Sequence, residues 1–112
     1  MSYDQILKYF PHLNNNQVDK IKNLQSIYEY WNTNINLISR KDFQFFYERH
    51  VLHSLSIVNV IEFKKETNVM DLGTGGGFPG VPLAIYFPQT NFFLVDSIQK
   101  KTNCLRQIVN KL

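Results

Sequence analysis

The chain has 112 residues, of which 44% are hydrophobic and 14% aromatic, and its net charge is +3. This length allows one small domain or part of a larger one, and the composition is that of a globular protein. A single cysteine, Cys104, excludes an internal disulfide and a cysteine-based metal site. No uncharged run approaches the roughly 20 residues that span a bilayer, and the start lacks the apolar block of a signal peptide. The sequence therefore predicts a cytoplasmic protein with no membrane segment and no metal.

Three amphipathic helices are predicted in the first part of the chain. Each begins next to a side chain that can cap a helix N-terminus, and each carries apolar residues at helical spacing. The first helix stops at Pro11, which cannot continue it. Residues 1–65 are thus predicted to form an N-terminal helical segment, with helices over residues 3–10, from 17 to about 32, and 42–61.

From residue 66 the apolar pattern changes to strand, helix, strand and helix. A right-handed crossover would make the two strands parallel neighbours. Parallel strands are normally buried on both faces, in sheets of about five or six strands. Residues 66–112 are therefore predicted to begin an α/β domain whose parallel sheet is incomplete here, with strands at 68–72 and 92–96 and helices at 79–87 and from 97 onward.

The loop between the first predicted strand and the next helix carries most of the chemical information. Its glycines allow a sharp turn and let a ligand approach the backbone without meeting a Cβ atom. Open α/β sheets hold nucleotide-like ligands at this place. The residues predicted to bind a cofactor in this loop are Asp71, Gly73, Gly75 and Gly77.

Hydrogen bonding and charge distinguish the ligands that this glycine loop could hold. A dinucleotide pyrophosphate needs free N–H groups at the helix N-terminus, and Pro79 and Pro82 each remove one. Asp71 would repel a pyrophosphate and attract a cationic amine. The pattern favours S-adenosylmethionine, which carries an amine and a ribose. The alternatives are another nucleotide, as in a dinucleotide-dependent oxidoreductase, and a purely structural turn.

Asp96 stands at the predicted end of the second strand, 25 positions after Asp71. Neighbouring parallel strands end at the same edge of a sheet, where a carboxylate can accept hydrogen bonds from both ribose hydroxyls. The alternative role is capping of the following helix, which Ser97 could also perform. With the glycine loop upstream, Asp96 is predicted to bind the cofactor ribose.

Two basic clusters are candidates for contact with RNA. Lys100 and Lys101 lie in the first turn of the last helix, where the helix dipole disfavours cations unless an anion is nearby. Arg40, Arg49 and His50 lie beside aromatic residues, a combination that suits phosphate contact and base stacking. Solvated helix faces are the alternative interpretation of both clusters. A non-catalytic RNA-binding module is accordingly the alternative class of protein.

The sequence resembles the bacterial small-subunit ribosomal RNA methyltransferase G family, also called glucose-inhibited division protein B. The match covers most of residues 30–112, as an apparent N-terminal portion of the family. Its glycine–proline block is specific, because general methyltransferases lack the Phe-Pro-Gly ending. The matching blocks are Asn36–Ser39, Arg49–Leu52, Asp71–Pro82, and Asp96–Ser97 with Lys100–Lys101 and Leu105–Gln107.

This resemblance implies a Rossmann-like S-adenosylmethionine-dependent methyltransferase fold behind the N-terminal helical segment. The implied reaction is methylation of N7 of a guanine in the 530 loop of 16S ribosomal RNA. It further implies that Gly73 and Phe78 contact the cofactor, that Asp96 lies near its ribose, and that Asn36 faces the RNA. Because N7 already has a free lone pair, positioning is most of the catalytic task. No catalytic acid or base is predicted.

The sequence also departs from the family pattern. His53 stands where an aspartate is usual, and Lys101 replaces an arginine, keeping the charge but losing the planar fork. The later strands, with the family's adenine-binding segment, lie beyond these residues. We therefore expect the 112-residue chain alone to bind S-adenosylmethionine weakly or not at all, to be inactive, and to self-associate through its exposed sheet.

Overall fold

The computed structural model describes residues 2–112, so the first residue of the predicted 1–65 segment lies outside the described range. Among the described residues, no helix is both long and apolar enough to cross a membrane. The elements, in chain order, are α1 (Tyr3–Tyr9), α2 (Asn15–Asn32), α3 (Arg40–Phe43), a π-helical stretch (Phe46–Leu52), α4 (His53–Leu55), a 3₁₀ turn (Ser56–Asn59), β1 (Asn68–Leu72), α5 (Gly80–Tyr86), β2 (Asn91–Val95) and α6 (Gln99–Lys111).

The first two helices begin where local side chains can satisfy their free N–H groups. The Ser2 hydroxyl accepts a hydrogen bond from the Asp4 N–H at 3.3 Å. Asn14 and Gln17 form a capping box, in which each side chain accepts from the other's backbone N–H, at 2.8 and 2.9 Å. Because Asn14 is the cap, α2 begins at Asn15, before the predicted start at Gln17.

The predicted third helix over residues 42–61 is wrong as a single helix. Its first turn, α3, already begins at Arg40, with Ser39 and not Asp42 at the cap position. A π-helical stretch then runs from Phe46 to Leu52. The wider π turn brings residues five apart onto one side, and Phe46 and Val51 are both buried. Packing of these side chains against the core therefore replaces regular helix geometry here.

The strand–helix–strand prediction is confirmed. β1 and β2 pair in parallel, with Asn68 opposite Asn91 and Leu72 opposite Val95. One face of this sheet packs against the helices. The other face exposes large apolar side chains, with exposed fractions of 63% for Met70, 77% for Leu72, 53% for Phe93 and 37% for Val95.

This exposed sheet face should make the isolated chain self-associate, because contiguous apolar patches favour contact with a second surface. Light scattering should give a mass above that of one chain, rising with concentration. Adding lysines by Leu72→Lys and Phe93→Lys should restore a monomer. The matched control is Val60→Lys, since Val60 is 81% exposed and lies outside the sheet. A wild-type monomer at all concentrations would contradict the prediction.

One hydrophobic core serves both the helical segment and the strand-containing part. The boundary predicted near residue 65 falls between Asn59 and β1, and the core extends across it. Cys104 belongs to this core, as its apolar helix face predicts. The helical segment therefore packs directly behind the loop that follows β1. Buried members from both parts include Ile6, Tyr28, Val51, Val81, Leu105 and Ile108.

Candidate functional site

The loop between β1 and α5 turns at three glycines in the left-handed region. Their φ angles are +72° for Gly73, +59° for Gly75 and +97° for Gly77. Residues with a Cβ atom rarely adopt such angles. The N–H groups of Gly73 and Thr74 donate to the Val95 carbonyl oxygen, at 2.8 and 2.9 Å. These bonds hold the loop against the carboxyl end of β2, so the sharp turn predicted from the glycines is confirmed.

Gly73 and Gly75 face open space. Apart from its two neighbours in the chain, a Cβ atom built on either residue would meet no atom within 4 Å. The loop surface at these positions can therefore be approached by a ligand. This is the side of the loop at which the sequence predicts cofactor binding.

Gly77 has a different environment from Gly73 and Gly75. It is buried, and a Cβ atom there would lie 2.7 Å from Tyr28 Oη, 2.8 Å from Leu105 Cδ2 and 2.9 Å from Val81 Cγ2. Its N–H donates to the Thr74 carbonyl oxygen, and its own carbonyl accepts from Val81. Packing of the loop against the core therefore explains this glycine without a cofactor contact, and the cofactor contact predicted for Gly77 stays a prediction.

The Asp71 side chain connects the beginning of the glycine loop to its end. Its Oδ2 accepts hydrogen bonds from the Thr74 hydroxyl at 2.7 Å and from the Gly80 N–H at 2.9 Å. Thr74 is only 3% exposed, and the sequence analysis did not identify it. Asp71 Oδ1 accepts no hydrogen bond from residues 2–112. The amine contact predicted for Asp71 stays a prediction.

The N-terminus of α5 has no free donor for a pyrophosphate. The Gly80 N–H is taken by Asp71, and the Val81 N–H donates to the Gly77 carbonyl oxygen at 2.7 Å. Pro82 has no N–H group. This hydrogen bonding disfavours the dinucleotide alternative, in which such groups bind phosphate.

Asp96 lies at the end of β2 and connects the loop to α6. Its Oδ2 accepts from the Gly75 N–H at 2.8 Å, and its Oδ1 accepts from the Ile98 N–H at 2.9 Å. These hydrogen bonds, Ile98 first and Gly75 second, lower the pKa of Asp96. Because Ile98 is held in this turn, α6 begins at Gln99, later than predicted. Each oxygen keeps a second lone pair, and ribose binding stays a prediction.

Phe78 lies in an aromatic cluster at the rear of the loop. Its ring centroid is 5.1 Å from His50, 5.2 Å from Tyr28 and 6.0 Å from Phe46. The ring is half-buried and packs against the core. Its contact with a cofactor, implied by the family resemblance, stays a prediction.

A cavity of about 340 Å³ opens beside this cluster. It brings together Arg49, His50 and Phe78, three of the residues predicted to bind RNA or cofactor. His50 Nε2 is buried and has no hydrogen-bond partner among residues 2–112. Burial lowers the pKa of His50, and Asp42 partly opposes this effect. The other lining residues are His53, Ser54, Ser56, Ile57 and Pro79.

Arg49 also reaches the surface, as do the remaining residues predicted to bind RNA. Arg49 Nη1 donates to Asp42 Oδ1 at 2.7 Å, and its guanidinium lies 4.2 Å from the centre of the Phe45 ring. Arg40 lines a separate hollow of about 300 Å³. Asn36 and Lys100 are exposed and Lys101 is half-buried. Arg49 is therefore ion-paired, while Asn36 and Lys100 face solvent.

The partly buried imidazole of His50, with its Nε2 fully buried, should make stability depend on pH. Its folded-state pKa lies below the ordinary value of 6.5, so the unfolded chain takes up a proton first as the pH falls. The stabilising contribution of neutral His50 is full above about pH 6.5 and is lost below it. When the pH is lowered from 7.5 to 5, the free energy of unfolding measured with denaturant should fall less in His50→Phe than in the wild-type protein. The exposed His12 supplies the control, and a His12→Gln profile that matched that of His50→Phe would contradict this assignment.

The architecture and the site together define an incomplete Rossmann-like α/β methyltransferase fold, with a helical segment packed behind its glycine loop. The family model GidB, rRNA small subunit methyltransferase G, matches residues 17–112. The chain belongs to this family, which confirms the resemblance found in the sequence.

Relatives support the same assignment. The chain is 56% identical over 107 residues to a ribosomal RNA small subunit methyltransferase G of Bacteroides thetaiotaomicron, covering 96% of the chain and 52% of the relative. It is 50% identical over 109 residues to the protein of that name from Flavobacterium johnsoniae, covering 97% of the chain and 52% of the relative. The chain thus spans about half the length of the curated relatives it matches.

Proposed function

We propose that this chain provides the glycine loop and the helical segment of a methyltransferase that modifies 16S ribosomal RNA with S-adenosylmethionine as the methyl donor. The observation that carries the proposal is the open face of the loop at Gly73 and Gly75, set between carboxylates at the ends of two parallel strands. Family membership and the names of the relatives support the RNA substrate. A ribosomal substrate would place the protein in the cytoplasm.

The residues present fit S-adenosylmethionine in charge and in space. Gly73 and Gly75 would let the ligand lie against the backbone, and Asp96 would accept hydrogen bonds from its ribose. Asp71 Oδ1 would accept from its amine. When bound, the cofactor supplies an electrophilic methyl group on a sulfonium. The part of this chain is to bind and orient the donor.

The proposed acceptor is N7 of a guanine in the 530 loop, as the family resemblance implies. This atom has a free lone pair, so the protein needs to align the base and does not need to remove a proton before attack. Asn36 and Lys100 are exposed and available to RNA. Arg49 would first have to exchange its partner Asp42 for a phosphate. The alternative to be tested against this proposal is that the protein is a non-catalytic RNA-binding module.

Nuclear magnetic resonance can test the cofactor site even where binding is weak. Titration with S-adenosylhomocysteine at millimolar concentration should shift the amide signals of Gly73 and Gly75, while NAD should not. Gly75→Val should abolish the shifts, because the new side chain fills the open face. Asp42→Ala, which removes a surface carboxylate that pairs with Arg49 and does not belong to the glycine loop, is the control. Shifts with NAD alone would support an oxidoreductase. Because this chain alone is expected to bind weakly or not at all, the binding module would be supported by shifts with neither ligand both in this chain and in a chimera completed by the remaining part of a relative.

Methyl transfer itself can be assayed in a chimeric protein. Residues 1–112 would replace the matching part of the Bacteroides thetaiotaomicron relative, whose identity of 56% favours correct packing. Unmodified small ribosomal subunits would be the substrate, and mass spectrometry of the RNA would locate the methyl group. Methylation of a guanine at N7 in the 530 loop is the expected result. A folded chimera that binds S-adenosylhomocysteine but methylates another position would refute the proposed acceptor.

A further inference from the structure

Tyr28 belongs to α2 in the helical segment, yet its hydroxyl reaches the glycine loop. The side chain is fully buried, and its Oη donates a hydrogen bond to the Gly76 carbonyl oxygen at 2.7 Å. Burial raises the pKa of Tyr28 far above its usual value, with a further contribution from Cys104. The hydroxyl therefore stays protonated and remains a donor.

The helical segment contacts the rear of the loop at two consecutive glycines. A Cβ atom on Gly76 would lie 2.8 Å from the Leu37 carbonyl oxygen, and one on Gly77 would lie 2.7 Å from Tyr28 Oη. The front of the same loop, at Gly73 and Gly75, is open. The loop is thus supported from one side and accessible from the other.

A peptide unit between two glycines rotates with little steric resistance, because neither residue carries a Cβ atom. Rotation of the Gly76–Gly77 peptide would move the Gly76 carbonyl and change the φ angle of Gly77. A hydrogen-bond donor held in place at the Gly76 carbonyl oxygen opposes this rotation. Tyr28 supplies this donor from a residue 48 positions earlier in the chain.

We infer that Tyr28 is a positioning residue, whose hydroxyl fixes the Gly76–Gly77 peptide and thereby keeps the front of the loop in its ligand-accepting shape. The inference rests on the proposed function of this loop as the S-adenosylmethionine site. Tyr28 does not touch the ligand face. Its effect is to preorganise the loop, which lowers the cost of ordering it on binding.

Tyr47 offers a matched control within the same core. It is 2% exposed, and its hydroxyl also donates to backbone carbonyl oxygens, those of Ile21 at 2.7 Å and Lys22 at 2.9 Å. Tyr47→Phe therefore removes a buried hydroxyl that holds α2 and not the loop. Tyr28→Phe removes the one that holds the loop.

The decisive measurement is amide hydrogen exchange without any ligand. After correction for global stability measured by denaturant unfolding, Tyr28→Phe should speed exchange at Gly77 and Phe78 by about 2- to 12-fold, the range for loss of one hydrogen bond. Tyr47→Phe should leave these two amides unchanged. Equal exchange at the loop in the two variants, whether raised in both or in neither, would overturn the inference.

Wild-type protein gives a second measurement, which does not depend on the folding of a variant. The hydroxyl proton of Tyr28 should exchange slowly enough to be observed, with a nuclear Overhauser effect to the glycine protons of the loop. Rapid exchange of this proton would also overturn the inference. Neither measurement uses S-adenosylhomocysteine, so failure here is distinct from failure of the proposed function, which the ligand titration tests.

Discussion

Gly77→Ala should lower the free energy of unfolding by about 2–5 kcal/mol, the sum of overpacking and of a left-handed backbone with a Cβ atom. The new methyl group would lie within 2.9 Å of Tyr28, Leu105 and Val81 side-chain atoms, at a φ of +97°. None of these neighbours is the free end of a flexible surface side chain, because all three belong to the buried core. Denaturant unfolding followed by Trp31 fluorescence measures the loss.

Gly75→Ala is the matched control for this loop. Its φ is +59°, but a Cβ atom there meets nothing within 4 Å. The free energy of unfolding should therefore fall only by the cost of backbone strain, about 1–2 kcal/mol. Similar losses for the two alanine variants would mean that Gly77 is not a packing position. A large loss of S-adenosylhomocysteine binding in folded Gly77→Ala, with no loss of stability, would instead support the predicted ligand role of Gly77.

Asp71→Ala should lower the free energy of unfolding by about 2–4 kcal/mol, because two donors lose their acceptor and one of them, Thr74, is buried. The Gly80 N–H is the other, and it lies at the start of α5. The effect should appear in denaturant unfolding and in faster exchange of the Gly80 amide. Loss of this carboxylate is thus expected to open the loop as well as to remove a charge.

Two further variants distinguish the effect of the hydrogen bonds that Asp71 accepts from the effect of its negative charge. Asp42→Ala removes an exposed carboxylate that pairs with Arg49, and such surface pairs contribute about 0–1 kcal/mol. Asp71→Asn keeps an oxygen that can accept the two hydrogen bonds but loses the charge, so stability should largely survive while amine binding weakens. Equal losses for Asp71→Ala and Asp42→Ala would refute the loop-closing role.

Local patterns in the sequence determined the elements around the site. A short apolar run and the following glycines placed β1 at residues 68–72, as observed. An apolar run after the turn at residues 88–91 placed β2 within one residue at each end, because strand and turn preferences act over a few neighbouring positions. The capping box at Asn14 is likewise local. For these elements the interactions that decide the structure lie within the segment itself.

The tertiary structure alone decided which face of the loop a ligand can reach. Gly73, Gly75 and Gly77 look alike in the sequence, and only contacts from α2, α5 and α6 separate the two open positions from the packed one. Packing of Phe46 and Val51 likewise broke the predicted helix over residues 42–61. The spacing of the glycines indicates which residues of the loop adopt positive φ angles. These angles are a local property of the backbone. The space around each glycine depends on side chains far away in sequence, such as Tyr28, and therefore exists only in the folded chain.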